Sequence, residues 1–536
     1  MDLNKGGALR AMEISTESMA GEAGQVQGTE QADDQRFTDF TRKVSAERQL
    51  QVVAALREIL PAGALLYREE DTRPFECDGL TAFRQLPMVV TLPETEQQVC
   101  RILKLCKAMD VPVVARGAGT GLSGGAMPHA AGVVLSLARF NRIVAVDPLS
   151  RTARVQPGVR NLAISEAAAP HNLYYAPDPS SQIACSIGGN VSENSGGVHC
   201  LKYGLTVHNV ISIRAVTMDG EVVTFGSAIG GAGGALDSPG LDLMALMIGS
   251  EGMLAVVSEV VVRLIPKPLL ARVIMASFDD VQKAGNAVAA IIAAGIIPAG
   301  MEMMDRKATR AVEPFVNAGY DLEAQAILLV ESDGTPEEVA EEIDAMERVL
   351  NDAGCTRLSV SQSEVERLRF WSGRKNAFPA AGRISPDYYC MDGTIPRKGL
   401  GRMLLAIADM ETRYRLRCMN VFHAGDGNLH PLILFDANIP GEWERADQFG
   451  AEILELCVEL GGTVTGEHGV GVEKINSMCV QFSERERDAF FAVKRAFDPA
   501  GLLNPGKAIP TLHRCAEYGR MHVQQGRLAF PDLPRF

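Results

Sequence analysis

No two of the eleven cysteines stand in a C-x-x-C pair, and they lie scattered between positions 77 and 515. A zinc ribbon or an iron–sulfur cluster held by this chain is therefore not expected. An odd, dispersed set in a chain this large reads as reduced thiols in a cytosolic protein. Basic charge is also short. The 52 Lys and Arg against 66 Asp and Glu leave a net charge of −14, without the basic stripe that binding to nucleic acid requires. Long apolar runs are missing too: the longest, residues 287–300, is broken by Gly295 and Pro298 and is too short to cross a bilayer. The first residues have no apolar signal-peptide core. A cytoplasmic location with no direct membrane span is the expectation. There is no internal repeat, and no low-complexity tract outside the first 40 residues, whose polar, Gly-, Glu- and Gln-rich composition reads as a disordered extension.

What remains is an ordinary globular composition, 46% hydrophobic and 22% charged over 536 residues, with room for two or three domains at about 150 residues each. Its glycine-rich stretch RGAGTGLSGG, residues 116–125, lacks one more thing. Gly119, Gly121 and Gly124 satisfy G-x-G-x-x-G after an apolar strand at 112–115, and a Rossmann fold would continue into a helix facing a pyrophosphate. Gly125, Pro128 and Gly132 forbid that helix, and another strand follows at 133–137. Asp147, the acid at about the customary distance, falls in a hairpin turn. The loop thus offers backbone N–H groups to a phosphate without a helix behind them.

TEQQ at 95–98 is a capping box for a helix that buries Val99, Ile102, Leu103 and Cys106. Two further glycine-bearing blocks follow. PDPSSQIACSIGGNVSENSGG at 177–197 is too glycine-rich for regular structure and too long for a connecting loop. GSEGM at 249–253 turns straight into a strand. Three such blocks suit one extended ligand with a pyrophosphate and two ring systems; ordinary loops of an α+β domain are the alternative. Pro266 and Pro268 mark a boundary. Beyond it, a strand at 272–278, a helix at 281–294, a strand at 325–332 and a helix from 336 to about 351 suggest a ferredoxin-like antiparallel sheet with helices on one face.

HAGDGNLH at 423–430 has apolar strands on both sides. If residues 425–428 form the hairpin loop, His423 faces His430 with Cβ atoms about 4.5–5.5 Å apart. Imidazoles so close repel when both are protonated. A hydrogen-bond network or a divalent metal on neutral ring nitrogens removes the conflict, and the residues alone leave both open. A third ligand would come from GEHGVG, where Glu467 and His468 follow another strand.

RGAGTGLSGG, PDPSSQIACSIGGN, GSEGM, GRKNAFPA, DYYCMDGTIP, FHAGDGNLHP, GEHGVG, FDPAGLLNPGK and TLHRCAEYG together resemble the D subunits of bacterial glycolate oxidases. These belong to the wider group of flavin-dependent D-2-hydroxyacid dehydrogenases of the vanillyl-alcohol-oxidase type. The resemblance runs from about residue 50 to the C-terminus and implies an α+β fold. A disordered extension at 1–40 precedes a two-subdomain FAD-binding domain at 41–266. A ferredoxin-like antiparallel-sheet substrate and metal domain with C-terminal helices follows at 267–510, then a tail at 511–536.

The resemblance also implies roles. Arg116, Gly117, Ala118, Gly119, Thr120, Ser123, Pro177, Asp178, Ser181, Ser186, Gly188, Gly189, Asn190, Gly197 and Glu251 would lie along FAD, and Asn504 would return to it. His423, His430 and Glu467 would hold a divalent metal (Zn, Mn or Fe), with His468 as catalytic base. Arg374, on a helix through FWSGRKNAF, would bind the substrate carboxylate, a task that suits a guanidinium fork. The implied reaction is oxidation of glycolate, and also of D-lactate, to the 2-oxo acid, with hydride passing to flavin N5 and the 2-hydroxyl proton leaving with metal assistance. Electrons would pass to a second flavin-domain subunit and an iron–sulfur subunit, which would provide any contact with the inner membrane. The tail would help dock one of them. Phe378 stands where relatives acting on larger diacids carry a hydroxyl, and Cys390 where they carry lysine, which favours a small monocarboxylic acid. Nothing demands a covalent flavin link, so dissociable FAD is expected. His171 and His199 near the flavin blocks read as surface residues. The alternatives are a stand-alone D-lactate dehydrogenase and a flavin-bearing electron-transfer subunit with a vestigial site; the complete His-His-Glu-His set argues against the latter.

Overall fold

The computed structural model describes residues 41–226 and 241–510; the extension at 1–40 and the tail at 511–536 lie outside the described residues. Thr95 starts the helix Glu96–Ala108 as its composition predicts. The Thr95 hydroxyl accepts from the Gln98 N–H, and the Gln98 side chain accepts from the Thr95 N–H, at 3.2 Å each, satisfying donors that a helix start leaves open. The helix buries Val99, Ile102, Leu103 and Cys106 against a four-stranded sheet ordered Leu65–Leu66, Val89–Thr91, Val133–Ser136, Val113–Arg116. The last three strands run parallel. Between Val113–Arg116 and Val133–Ser136 the chain crosses through the glycine loop with no helix.

A five-stranded antiparallel sheet comes next, ordered Ile143–Asp147, Thr152–Val155, Val256–Arg263, Val210–Val216, Val222–Gly226. Its core joins Val155, Ile213 and Val260 to Ile164 of the helix Asn161–Ala168. The expectation of irregular structure throughout 177–197 fails: Ile187–Glu193 is a helix. Glycine disfavours a helix, but packing overrides propensity here. A Cβ on Gly188 would stand 2.5 Å from the Pro157 side chain, so only glycine lets this turn dock.

The remaining strands form a seven-stranded antiparallel sheet, ordered Arg357–Val360, Leu270–Phe278, Ala326–Gly334, Gly300–Asp305, Arg417–His423, Asn428–Phe435, Asp387–Cys390. Helices cover both faces rather than one. Ile274, Ala276 and Phe278 pack with Val281–Ala293, Pro336–Asp352, Leu400–Tyr414 and Glu442–Glu459. Val273, Met275, Ile327 and Leu329 pack with Arg306–Val316, Glu364–Lys375 and Ala377–Ile384 on the other side. The cause lies in AILLV at 326–330, apolar at every position, so neither face can be left to water.

The chain finally returns to the first sheet. The Val113 N–H donates to the Leu502 carbonyl and the Asn504 N–H to the Val113 carbonyl, both at 2.8 Å. Nine of the described cysteines are free thiols, but Cys479 is disulfide-bonded, which corrects the expectation of a wholly reduced set. Among the described residues no helix is long and apolar enough to cross a membrane.

Candidate active site

The three glycine-bearing blocks and three segments of the seven-stranded domain enclose one cavity of about 410 Å³. Arg116, Gly117, Ala118, Gly119 and Thr120 line it from the first block, Ser181, Ser186, Gly188, Gly189 and Asn190 from the second, and Glu251 from the third. A Cβ on Gly117 would lie 2.2 Å from Ser186 Oγ, and the Ala118 N–H donates to that hydroxyl at 3.3 Å. The wall is thus largely backbone and small side chains, which lets a pyrophosphate and flat rings approach closely.

Ser123, Pro177, Asp178, Gly197 and Asn504 do not line the cavity but stand behind its wall. The Ser123 carbonyl accepts from the N–H groups of Val472 and Glu473 at 3.1 Å each. The Pro177 carbonyl accepts from Asn161 Nδ2 at 3.1 Å, and Asp178 from the His199 N–H at 3.1 Å. A Cβ on Gly197 would lie 2.5 Å from the Asp178 carbonyl carbon. Asn504 Nδ2 donates to the carbonyls of Gly125 and Glu251 at 2.9 and 2.6 Å. These residues hold the blocks in register.

The histidine hairpin closes with a loop of the expected length, but one residue earlier in the chain. His423 pairs with Asn428, and His430 with Val421. Gly427 takes a φ of 80° and its N–H bonds the His423 carbonyl at 3.0 Å, leaving residues 424–427 as the loop. The two histidines are therefore diagonal rather than opposite, still on one face and within reach, with ring centroids 4.9 Å apart. Nε2 of His423 and Nε2 of His430 lie 3.2 and 3.0 Å from the same Glu467 oxygen, and the three ligand atoms fall within 4.8 Å of one another. His468 stacks on His430 at 4.8 Å. This donor set fits zinc, manganese or iron. Burial opposes charge on His423, yet Glu302 and Glu467 hold its imidazole well above the ordinary pKa, so the pocket favours positive charge here.

Asp392 anchors the GEHGVG loop. Its carboxylate accepts from the N–H groups of Gly466, Glu467 and His468 at 3.1, 3.2 and 2.9 Å, and from the Thr465 hydroxyl at 2.6 Å. Burial would raise its pKa, but His468, Lys474 and His430 hold it at about 2. Burial pulls His468 down to about 4 against the pull of Asp392, leaving a neutral imidazole at pH 7. Glu251 accepts from the N–H groups of Val470 and Gly471 at 2.7 and 2.8 Å, bracing the same loop.

Arg374 is fully buried, behind the cavity wall. Its Nε donates to Glu302 Oε2 at 2.5 Å, and its Nη2 has no partner. An orphaned nitrogen on a buried cation calls for an anion. Lys375 and Phe378 from the same segment do line the cavity. Phe378 meets Tyr388 edge-on at 5.9 Å, while the Cys390 thiol lies within 4.8 Å of ring nitrogens of His430 and His468.

Glu302 escaped the reading of the sequence. It sits in GMEMMD, whose six residues are all buried, and an acid in such a strand must be paired. His199 is not a surface residue. Partly buried, it places Nδ1 2.7 Å from Asp178 Oδ2 and Nε2 3.2 Å from Glu331 Oε1, because acids flank it on both sides. His171 is exposed.

Residues 87–226 match the family described as FAD binding domain, and residues 267–508 the family described as FAD linked oxidases, C-terminal domain. The chain is 62% identical over 485 residues to the glycolate oxidase subunit GlcD of Escherichia coli strain K12, covering 90% of this chain and 96% of that one. It is 30% identical over 453 residues to a D-lactate dehydrogenase of Archaeoglobus fulgidus, covering 83% and 96%. Among solved structures, p-cresol methylhydroxylase with substrate bound matches with a TM-score of 0.74 at 18% identity, covering 88% of this chain and 98% of the other, a likeness of fold. Glycine blocks around one cavity, the two matched segments and the identity along 90% of the chain agree: the chain belongs to the FAD-linked oxidases of the glycolate oxidase GlcD family, with an FAD-binding domain of the vanillyl-alcohol-oxidase type.

Proposed function

We propose that this chain oxidises a small 2-hydroxy acid, glycolate before D-lactate, to the 2-oxo acid, with FAD along the glycine blocks and a divalent cation on His423, His430 and Glu467. One observation carries the reading: the cavity that receives the glycine blocks is also lined by His430, Glu467 and His468. When bound, the flavin supplies a hydride acceptor and the cation a Lewis acid for the hydroxyl.

The chain's own groups do the rest. Exposed Lys375 on the cavity rim attracts an anion. Arg374 offers its unpartnered Nη2 to the carboxylate and so orients the carbon to be oxidised. His468 takes the hydroxyl proton at Nε2, the nitrogen 3.9 Å from Glu467 Oε1. The adjacent Asp392, whose attraction opposes the downward pull on that imidazole, steadies the imidazolium that results.

Electrons need an outlet after the flavin is reduced. With no C-x-x-C pair in the sequence, we assign that role to partners, a second flavin-domain subunit and an iron–sulfur subunit at the inner membrane. The word subunit in the name of the Escherichia coli relative supports this. The deciding experiment is an anaerobic visible spectrum of the purified protein. Glycolate should bleach the flavin band, and an unchanged spectrum with both glycolate and D-lactate would reject the proposal. Bleaching by D-lactate alone would favour the D-lactate dehydrogenase reading, which the Archaeoglobus relative keeps in play.

A further inference from the structure

Glu302 lies on the strand Gly300–Asp305, between Ala326–Gly334 and Arg417–His423 in the seven-stranded sheet, and is 1% exposed. Oε1 lies 2.5 Å from His423 Nδ1, and Oε2 lies 2.5 Å from Arg374 Nε. An ionised carboxylate only accepts hydrogen bonds. Glu302 therefore fixes a proton on His423 Nδ1, so that Nε2, 3.2 Å from Glu467 Oε1, is the nitrogen left to exchange its proton for a divalent cation. On the other side, Glu302 engages the guanidinium through Nε and leaves Nη2 buried without a partner. It also supplies the negative charge that permits an arginine to be buried in the absence of substrate.

We propose that Glu302 is a positioning residue that sets both halves of the site: it presents His423 Nε2 to a divalent cation and aims Arg374 Nη2 at the substrate carboxylate. The inference rests on the reading of the site given above. A carboxylate that served stability alone has no advantage over an apolar side chain in a strand that already holds Met301, Met303 and Met304. Two acceptors facing two functional donors is what the position specifically offers.

Glu302→Gln separates the roles chemically. An amide has one acceptor oxygen and one NH₂ donor, so it cannot serve both the Arg374 Nε–H and the His423 Nδ1–H. Zn²⁺ binding to the purified FAD-loaded protein and the KM for glycolate should be measured on wild type and variant. The variant should keep its FAD, bind Zn²⁺ about 10–100-fold more weakly, and show a raised KM. Equal Zn²⁺ affinity and an unchanged KM would overturn the proposal. If Glu302→Gln fails to fold, Glu302→Asp keeps the charge but loses one methylene of reach, so at least one of the two constants must move, and neither moving would overturn the proposal equally. Failure of the underlying cation reading is distinct, because wild-type protein would then bind no Zn²⁺, and the positioning role would fall with it.

Discussion

Arg374 and His423 share one buried carboxylate, so each side chain's position depends on the other's partner. Arg374→Lys keeps the charge facing Glu302 but loses the fork, and hydrogen bonds to a charged group contribute about 1.5–3 kcal/mol. Steady-state kinetics should show the KM for glycolate rising about 10–100-fold with FAD content unchanged. A KM within twofold of wild type would remove Arg374 from carboxylate binding. The proposal that Phe378 and Cys390 favour a small substrate is tested at the same scale. Beside an aromatic wall and a buried thiol, a second carboxylate lacks a partner at a cost of about 1–3 kcal/mol. D-2-hydroxyglutarate should therefore reduce the flavin roughly 5–150-fold more slowly than glycolate in stopped-flow measurements, and equal rates would refute the argument. Motif spacing made His430, Glu467 and His468 legible because their residue types announce their chemistry. Glu302 was not legible, since a single acid in a methionine-rich strand says nothing of its partners until sheet order brings His423 and Arg374 beside it.

Among the elements, the strand Ala326–Gly334 does more than fill the sheet. Glu331 on it accepts from Arg367 Nη1 at 2.8 Å, from Trp371 Nε1, and from His199 at 3.2 Å. Asp333 accepts from Lys202 Nζ at 2.6 Å and from the Tyr203 hydroxyl at 2.7 Å. His199, Lys202 and Tyr203 follow the second glycine block, so this strand clamps flavin-side loops to the seven-stranded sheet. Burial works against charge on His199, but Asp178 and Glu331 outweigh it and raise its pKa well above 6.5. A raised pKa contributes stability that is full below the unfolded value and is lost as pH rises through the folded one. Burial likewise opposes charge on Glu331, yet His199, Arg367 and Trp371 bring it from 4.5 to about 2. That contribution is present above the unfolded value and is lost as pH falls toward about 2. His199→Ala should cost about 1–3 kcal/mol in thermal melts, with the deficit greatest in mildly acidic buffer and shrinking as pH rises. A deficit that grows with pH would contradict the sign. The capping box at Thr95 was readable because it is local, whereas Gly300–Asp305 was missed because its acids break the apolar pattern that marks a strand.

At the scale of the whole molecule, the cavity wall is assembled from three separate blocks together with Lys375, Phe378 and the histidine loops. A ligand spanning that wall binds the folded chain and not the unfolded one. FAD at about 100 times its Kd should therefore stabilise the apoprotein by about 2.7 kcal/mol, seen as a concentration-dependent rise in Tm. A Tm indifferent to FAD would count against the cradle. The turn at 502–504 closes the same structure by pairing with Val113 on the flavin-side sheet.

The sequence by itself determined the kind of protein. Glycine and proline after Arg116 exclude a Rossmann helix, the scattered cysteines contain no cluster motif, and the histidine and acid motifs carry recognisable ligand types, because backbone permissiveness and donor chemistry belong to single residues and short spacings. Only the tertiary structure decided which atoms meet. The shifted hairpin register made His423 and His430 diagonal, the order of the strands placed Glu302 between His423 and Arg374, and opposed acids drew His199 inward. Such pairings depend on register and on contacts between residues far apart in the chain, where a side chain's role is set by the electrostatic company it is packed into rather than by its neighbours in sequence.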